Sequence, residues 1–309
     1  MLSSPSSFAL WRFVSFGSSV LLCACQGTGG TGTEGKAEPF TPGPARAQDP
    51  FGYFLVQFDK GLQRWSEIKL GPRGPREEST LRALEESLRH AAVERRDELL
   101  HGLATGSPKN REVAVVALGF TGDPAVLGPV LGALSDPAPE VVQKTHLALG
   151  ILGLPETPLS PITDDLLAHL DPWTRNNAAF AVHRIVSAGG RMEGLDRILV
   201  AALSDPEPGV RAQAASTLGI LGEPASIGEL GKLLVDPVAL VARAASASLG
   251  SIALSHREAL GACARQLAGA LDHVLEGSRA GLIHELTRLN GQSLGEAPAE
   301  WQEWARRLP

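Results

Sequence analysis

The chain is poor in aromatic residues, cysteine and excess positive charge, and it has no long apolar run. Aromatics make up 5% of 309 residues, with a single Tyr. That scarcity, beside abundant Ala, Leu and Gly, suits thin helix-on-helix layers better than one deep core. The formal net charge is −6, which argues against a general nucleic-acid binder, since phosphate neutralisation needs surplus Lys and Arg. The three cysteines are Cys23, Cys25 and Cys263, and the first two lie within ten residues of a short apolar run. That placement argues against a disulfide framework. The apolar run itself, Phe13 to Leu22, covers ten residues, whereas crossing a bilayer takes about 20.

What is present at the N-terminus reads as an address. Arg12 precedes the apolar run, and Cys23, Ala24, Cys25 and the polar Gln26 follow it. One positive charge, a short apolar segment and a small residue before the break fit a secretory signal. Leu22-Cys23-Ala24-Cys25 resembles a bacterial lipobox. The resemblance implies cleavage after Ala24, a lipid on the sulfur of Cys25, and an envelope protein facing the periplasm or the exterior. Residues 27–50 are rich in Gly, Thr and Pro and read as a tether with a reach of roughly 25–30 Å. Within the tether, Gly30, Gly35 and Lys36 imitate a phosphate-binding loop. Ala37 stands where the Mg²⁺-ligating hydroxyl belongs, and Pro39, Pro42 and Pro44 block the helix that would receive the phosphate.

The folded part opens at Phe51. Phe51, Phe54, Leu55, Phe58, Leu62, Trp65 and Ile68 recur at steps of three and four, predicting a helix with one apolar face. After the break at Gly71 to Pro75, residues 77–102 predict a second, charged helix.

A repeat then takes over. Asp136, Asp171, Asp205 and Asp236 each precede Pro, at spacings of 35, 34 and 31, and a fifth copy without Asp-Pro begins near Thr105. Thirteen residues into four copies stand Leu118, Leu149, Leu218 and Leu249, each followed by Gly; the copy from Asp171 departs with Arg184 and Ile185. Nine residues in, small or apolar side chains recur as Ala114, Thr145, Ala214 and Ala245, with Phe180 the exception. Shorter helices are predicted near 124–134, 161–170, 193–203 and 224–234. Asp or Ser is expected to cap the second helix of each pair, Pro to fit its first turn or the turn before it, and the closing Gly to take positive φ.

This pattern resembles the HEAT-repeat family, in particular the short bacterial repeats of phycobilisome lyases. The resemblance implies an all-α fold: an α-solenoid of stacked antiparallel helix pairs. The expected organisation is a signal peptide over 1–24, the anchor Cys25 and linker over 25–50, capping helices over 51–102, repeats over 103–255, and C-terminal helices over 256–309. Trp301 and Trp304, one turn apart, are expected to cover the open end of the stack, or else to form a docking site.

Catalytic motifs are sparse. The sequence has no Gly-x-Ser-x-Gly elbow and no His-Glu-x-x-His zinc helix. Cys263 stands in an Ala-rich helix and reads as a buried thiol. Asp165 and His169 have the spacing of a ligand pair without further ligands. His284-Glu285 is a single His-Glu pair, whereas the HEAT-repeat iron hydroxylase of hypusine formation uses several. No catalytic residue, metal or cofactor is therefore assigned. Arg175, Arg211 and Arg243, with Trp301 and Trp304, are the candidate partner contacts, the charged residues also having a plain reading as bridges between repeats. The expectation is a monomeric, non-enzymatic, protein-binding scaffold held to a membrane by its lipid and indifferent to nucleic acid. Its alternative is a lyase-type enzyme acting on a small molecule.

Overall fold

The computed structural model describes residues 50–71 and 74–309. The signal peptide, Cys25, the linker and its imitation phosphate loop therefore lie outside the described residues. Among those residues the secondary structure is helical, without strands. The chain divides into two compact units, one ending at Ser87 and the other running from Leu88 to Pro309.

In the first unit, α1 (Pro50–Leu70) buries Leu55, Phe58 and Trp65 on the face expected from their spacing. The helix α2 (Pro75–Glu94) begins after the Gly-Pro break and crosses the division between the units. The Trp65 indole N–H donates to Glu85 Oε1 at 2.9 Å, and Lys69 Nζ reaches the same oxygen at 3.3 Å while lying 5.6 Å from the Trp65 ring centre. The single charged helix expected over 77–102 is in fact two. Arg95 leaves helical geometry at φ −114°, ψ 22°, and α3 (Arg96–Thr105) starts anew with Asp97 and Glu98 in its first turn. Those carboxylates favour a helix N-terminus, and an interior run of Val-Glu-Arg-Arg carries no Gly or Pro to announce the break.

The second unit is a run of helix pairs. The second members of the pairs are α4 (Pro108–Phe120), α6 (Pro139–Leu152), α8 (Pro172–Ser187), α10 (Pro208–Leu221), α12 (Ala239–Ser255) and α14 (Glu276–Asn290). Each packs directly on the next. Their shorter partners are α3, α5 (Leu127–Gly132), α7 (Ser160–Ala168), α9 (Leu195–Ala202), α11 (Ile227–Lys232) and α13 (Leu260–Ala270). Short 3-10 turns flank α5 and α11 on both sides. The pair α13–α14, which lacks the Asp-Pro and Leu-Gly signals, nevertheless continues the stack.

The last helix, α15 (Pro298–Arg307), packs on α13. Trp301 is fully buried, its indole N–H donates to the Gly295 carbonyl at 2.9 Å, and it meets Trp304 edge-on at 5.9 Å between ring centres. Burying one indole of this size removes a large apolar area from water, worth about 2–3 kcal/mol.

Candidate functional site: the stacked face of the second helices

Counting from the first residue of each second helix puts the repeat in a single frame. The eleventh residue is Leu118, Leu149, Leu218 and Leu249 in α4, α6, α10 and α12, each buried. In α8 the same count gives Val182, not Arg184, and the seventh residue is Ala178, not Phe180. The irregular copy thus keeps the small buried residue expected at that place. The misalignment has a local cause. Asp171 is the N-cap of α8, accepting the Thr174 N–H at 2.8 Å, so its helix starts at the next residue. Asp136, Asp205 and Asp236 stand three residues ahead of their helices. Each accepts the backbone N–H two residues on, at 2.8–2.9 Å, and so makes a turn, not a cap. Ser107 does cap α4, with the Asn110 N–H 3.3 Å from its hydroxyl.

Those three carboxylates have a second duty. Arg111, Arg175 and Arg211, each the fourth residue of its helix, reach forward to Asp136, Asp205 and Asp236. The bonds are bidentate: 2.7 and 2.7 Å, 2.7 and 3.1 Å, and 2.9 and 3.0 Å. The remaining guanidinium nitrogen donates backwards, to the carbonyls of Gly106, His169 and Asp205 at 2.8–3.0 Å. Each Arg therefore ties its own entry turn to the next repeat. The Arg111 guanidinium beside Asp136 holds that carboxyl below its usual range, with burial opposing. Between α6 and α8 the tie is weaker: Gln143 donates a single bond to Asp171 at 3.2 Å.

The Leu-Gly glycines also differ from expectation. They lie inside their helices, where they allow close approach. A Cβ at Gly119 would stand 2.7 Å from the Ala148 carbonyl, and one at Gly219 would stand 2.6 Å from Ser248 Oγ. Positive φ occurs three residues later, at Gly153 (59°) and Gly222 (74°), which end α6 and α10. In α8 the twelfth residue is His183, which meets Thr217 of α10 at 3.2 Å instead of letting the backbones touch. Burial lowers the pKa of this imidazole, with Arg184 adding to the effect.

Of the predicted partner contacts, Arg175 and Arg211 are engaged in ion pairs at 12% and 13% side-chain exposure, and Trp301 is buried. These three serve the stack, while Trp304 is half-buried beside Trp301. Arg243 is exposed. The residue that helical counting adds is Arg184, also exposed, whose nearest hydrogen bond is a long one of 3.4 Å to the Gly150 carbonyl. Asp165 does not converge with His169. It pairs with the buried His146 at 2.8 Å, which holds its carboxyl low, while His169 Nδ1 accepts the Asp171 N–H. His284 points outward, whereas Glu285 is buried and binds Arg288. Cys263 is fully buried and its pKa is pushed up to about 11 by that burial, so its thiol stays protonated at neutral pH. No cluster of three or more His, Cys, Asp or Glu side chains able to hold a metal occurs among the described residues, and none of their helices is long and apolar enough to cross a membrane.

A right-through stack of antiparallel helix pairs, stitched by repeated side-chain ties, defines an α-solenoid, a fold suited to holding protein segments. HEAT repeats match this sequence over residues 96–182 and 159–250, and the chain belongs to that family. No curated protein matches it. Among solved structures, Kap121p is 15% identical, covering 77% of this chain and 29% of its own, with a TM-score of 0.52. The same figures hold for Kap121p bound to Nup53p. An engineered protein is 19% identical, covering 63% of this chain and 96% of its own, at a TM-score of 0.45. These likenesses concern the fold, and this chain spans less than a third of the length of Kap121p.

Proposed function

We propose that the protein is a non-enzymatic scaffold of the bacterial cell envelope, anchored by a lipid on Cys25, that holds a protein partner against the second-helix face of its solenoid. The observation that carries the reading is the division of labour among charged side chains. Asp136, Asp205, Asp236, Arg111, Arg175 and Arg211 are spent on the stack, while the outer face of the same helices offers side chains that the packing does not use. Kap121p, similar in fold, has been seen with Nup53p, which is in keeping with a solenoid that takes protein ligands. A lipid tether would confine such a scaffold to a membrane and raise its effective concentration toward a membrane-bound partner.

Two experiments test this reading. Cross-linking in cells, followed by purification from solubilised membranes and mass spectrometry, should return an envelope protein cross-linked to α6, α8, α10 or α12. Cross-links confined to chain termini, or none above control, would count against the scaffold. Replacing Cys25→Ser should move the protein from the membrane to the soluble fraction, and unchanged retention would remove the anchor.

A further inference from the structure

The outer face of the second helices has a sign. Helices α8, α10 and α12 contain no Asp or Glu in their entire lengths, in a chain whose net charge is −6. Two of their four arginines, Arg175 and Arg211, are neutralised by Asp205 and Asp236. The other two, Arg184 and Arg243, are exposed and form no ion pair with any described residue.

Both lie on one face. With about 100° of turn per residue, the fifth, ninth and thirteenth residues of a helix share a side opposite the fourth, seventh and eleventh, which are turned into the stack. The exposed or half-buried members are Phe180 and Arg184 in α8, Ser216 and Ile220 in α10, and Arg243 and Ala247 in α12; at the fifth place α8 and α10 carry Asn176 and Ala212, which are buried, so Arg243 alone is exposed there. Their exposure agrees: Ile220 is 40% exposed, Phe180 is half-buried and Ala247 is exposed. The result is an apolar strip with a cation at each end. Exposed Glu223 follows Ile220 by three residues, just past the end of α10, and Glu207 precedes that helix; neither lies on a helix that carries one of the two arginines.

From these observations we infer that the face of α8, α10 and α12 binds an extended polypeptide segment carrying two carboxylates separated by apolar residues, one meeting Arg184 and the other Arg243. This rests on the scaffold reading above and names the occupant. The spacing follows from the scaffold. Two helix layers span about 20 Å, and eight residues of axial rise add about 12 Å, so the two cations stand about 23 Å apart. An extended chain covers that in about seven residues. Two lone cations around apolar side chains suit a polypeptide better than an anionic bilayer or nucleic acid, both of which call for dense clusters of Lys and Arg.

The test is selection of phage-displayed random dodecapeptides on the whole protein, followed by fluorescence anisotropy of an enriched peptide. The expected outcome is enrichment of Asp or Glu pairs six to eight residues apart with apolar residues between. Arg184→Glu with Arg243→Glu should weaken binding at least tenfold, with the helical circular dichroism unchanged, and a charge-swapped peptide bearing Lys should recover it. Retention of affinity by Arg184→Lys with Arg243→Lys would support recognition by charge. Enrichment of neutral or basic peptides, or acidic ones indifferent to the double reversal, would overturn the inference. So would Arg184- and Arg243-dependent capture by phosphatidylglycerol vesicles with no peptide enriched. A cross-linked partner on this face without acidic preference would defeat the inference and spare the scaffold. Absence of both peptide and cross-linked partner would defeat the two together.

Discussion

The repeat headed by Asp171 and the one headed by Asp205 perform the same packing with different parts. At Asp205 the carboxylate makes a turn and receives two bonds from Arg175, and the helix that follows presents Gly219 to Ser248. At Asp171 the carboxylate caps its own helix and receives one bond from Gln143, and α8 presents His183 to Thr217. Of the consecutive second-helix pairs from α4 to α12, α8 with α10 share the least extensive contact. A solenoid therefore tolerates a loosened repeat so long as the buried apolar positions hold, as Ala178, Val182 and Ile185 do. Stability in such arrays is a sum of local terms, so each difference should be measurable by itself.

The largest effect is expected from the regular repeat. Arg211→Ala leaves Asp236, 6% exposed, without its cation, and should cost about 3 kcal/mol or more in urea unfolding. An equal loss from Gln143→Ala would erase the contrast; about 1 kcal/mol is expected there, for one neutral donor. Next in size is Gly119→Ala. Alanine is ordinarily better than glycine in a helix by about 1 kcal/mol. Here its methyl would meet the backbone of Ala148, which cannot step aside, so the sign should reverse to a loss of about 1–3 kcal/mol.

The smallest effect concerns pH. The folded state lowers the pKa of His183 below its free value. The stability this brings is therefore complete above pH of about 6.5 and is lost as pH falls through the depressed value. His183→Gln, which keeps a donor for Thr217, should flatten the melting temperature between pH 7 and pH 5. An unchanged slope would place the titration elsewhere. At lower pH, Asp136 and Asp165, both held low by their partners, should set acid unfolding below pH of about 4, where their stabilisation is lost.

The fold was legible because it rests on periodicity. Leucines at a fixed place, a small residue four positions earlier and Asp-Pro turns state a stack of helix pairs without further help. What could not be read was the frame of α8, since Asp171 uses the same dipeptide for a cap that its fellows use for a turn. From that slip came Phe180 as a false exception. The break at Arg95 was also silent, because nothing but backbone geometry marks it. For the candidate site the sequence offered arginines without showing which of them the packing engages. Arg175 and Arg211 look as available as Arg243 until Asp205 and Asp236 are seen to be within reach. Trp301, expected as a cap with docking as the alternative, is buried.

The ties between repeats that end on an entry-turn carboxylate point one way. Each carboxylate that receives a bond lies 25 to 30 residues after the side chain that supplies it. Delivered N-terminus first, the chain presents each donor before its acceptor, and the three Arg donors are bonded to their own entry turns. Every new repeat then emerges next to a finished template that presents the complement of its own turn. That order lets the stack grow by accretion at its C-terminal end as the chain is delivered N-terminus first, with no carboxylate awaiting a partner not yet present.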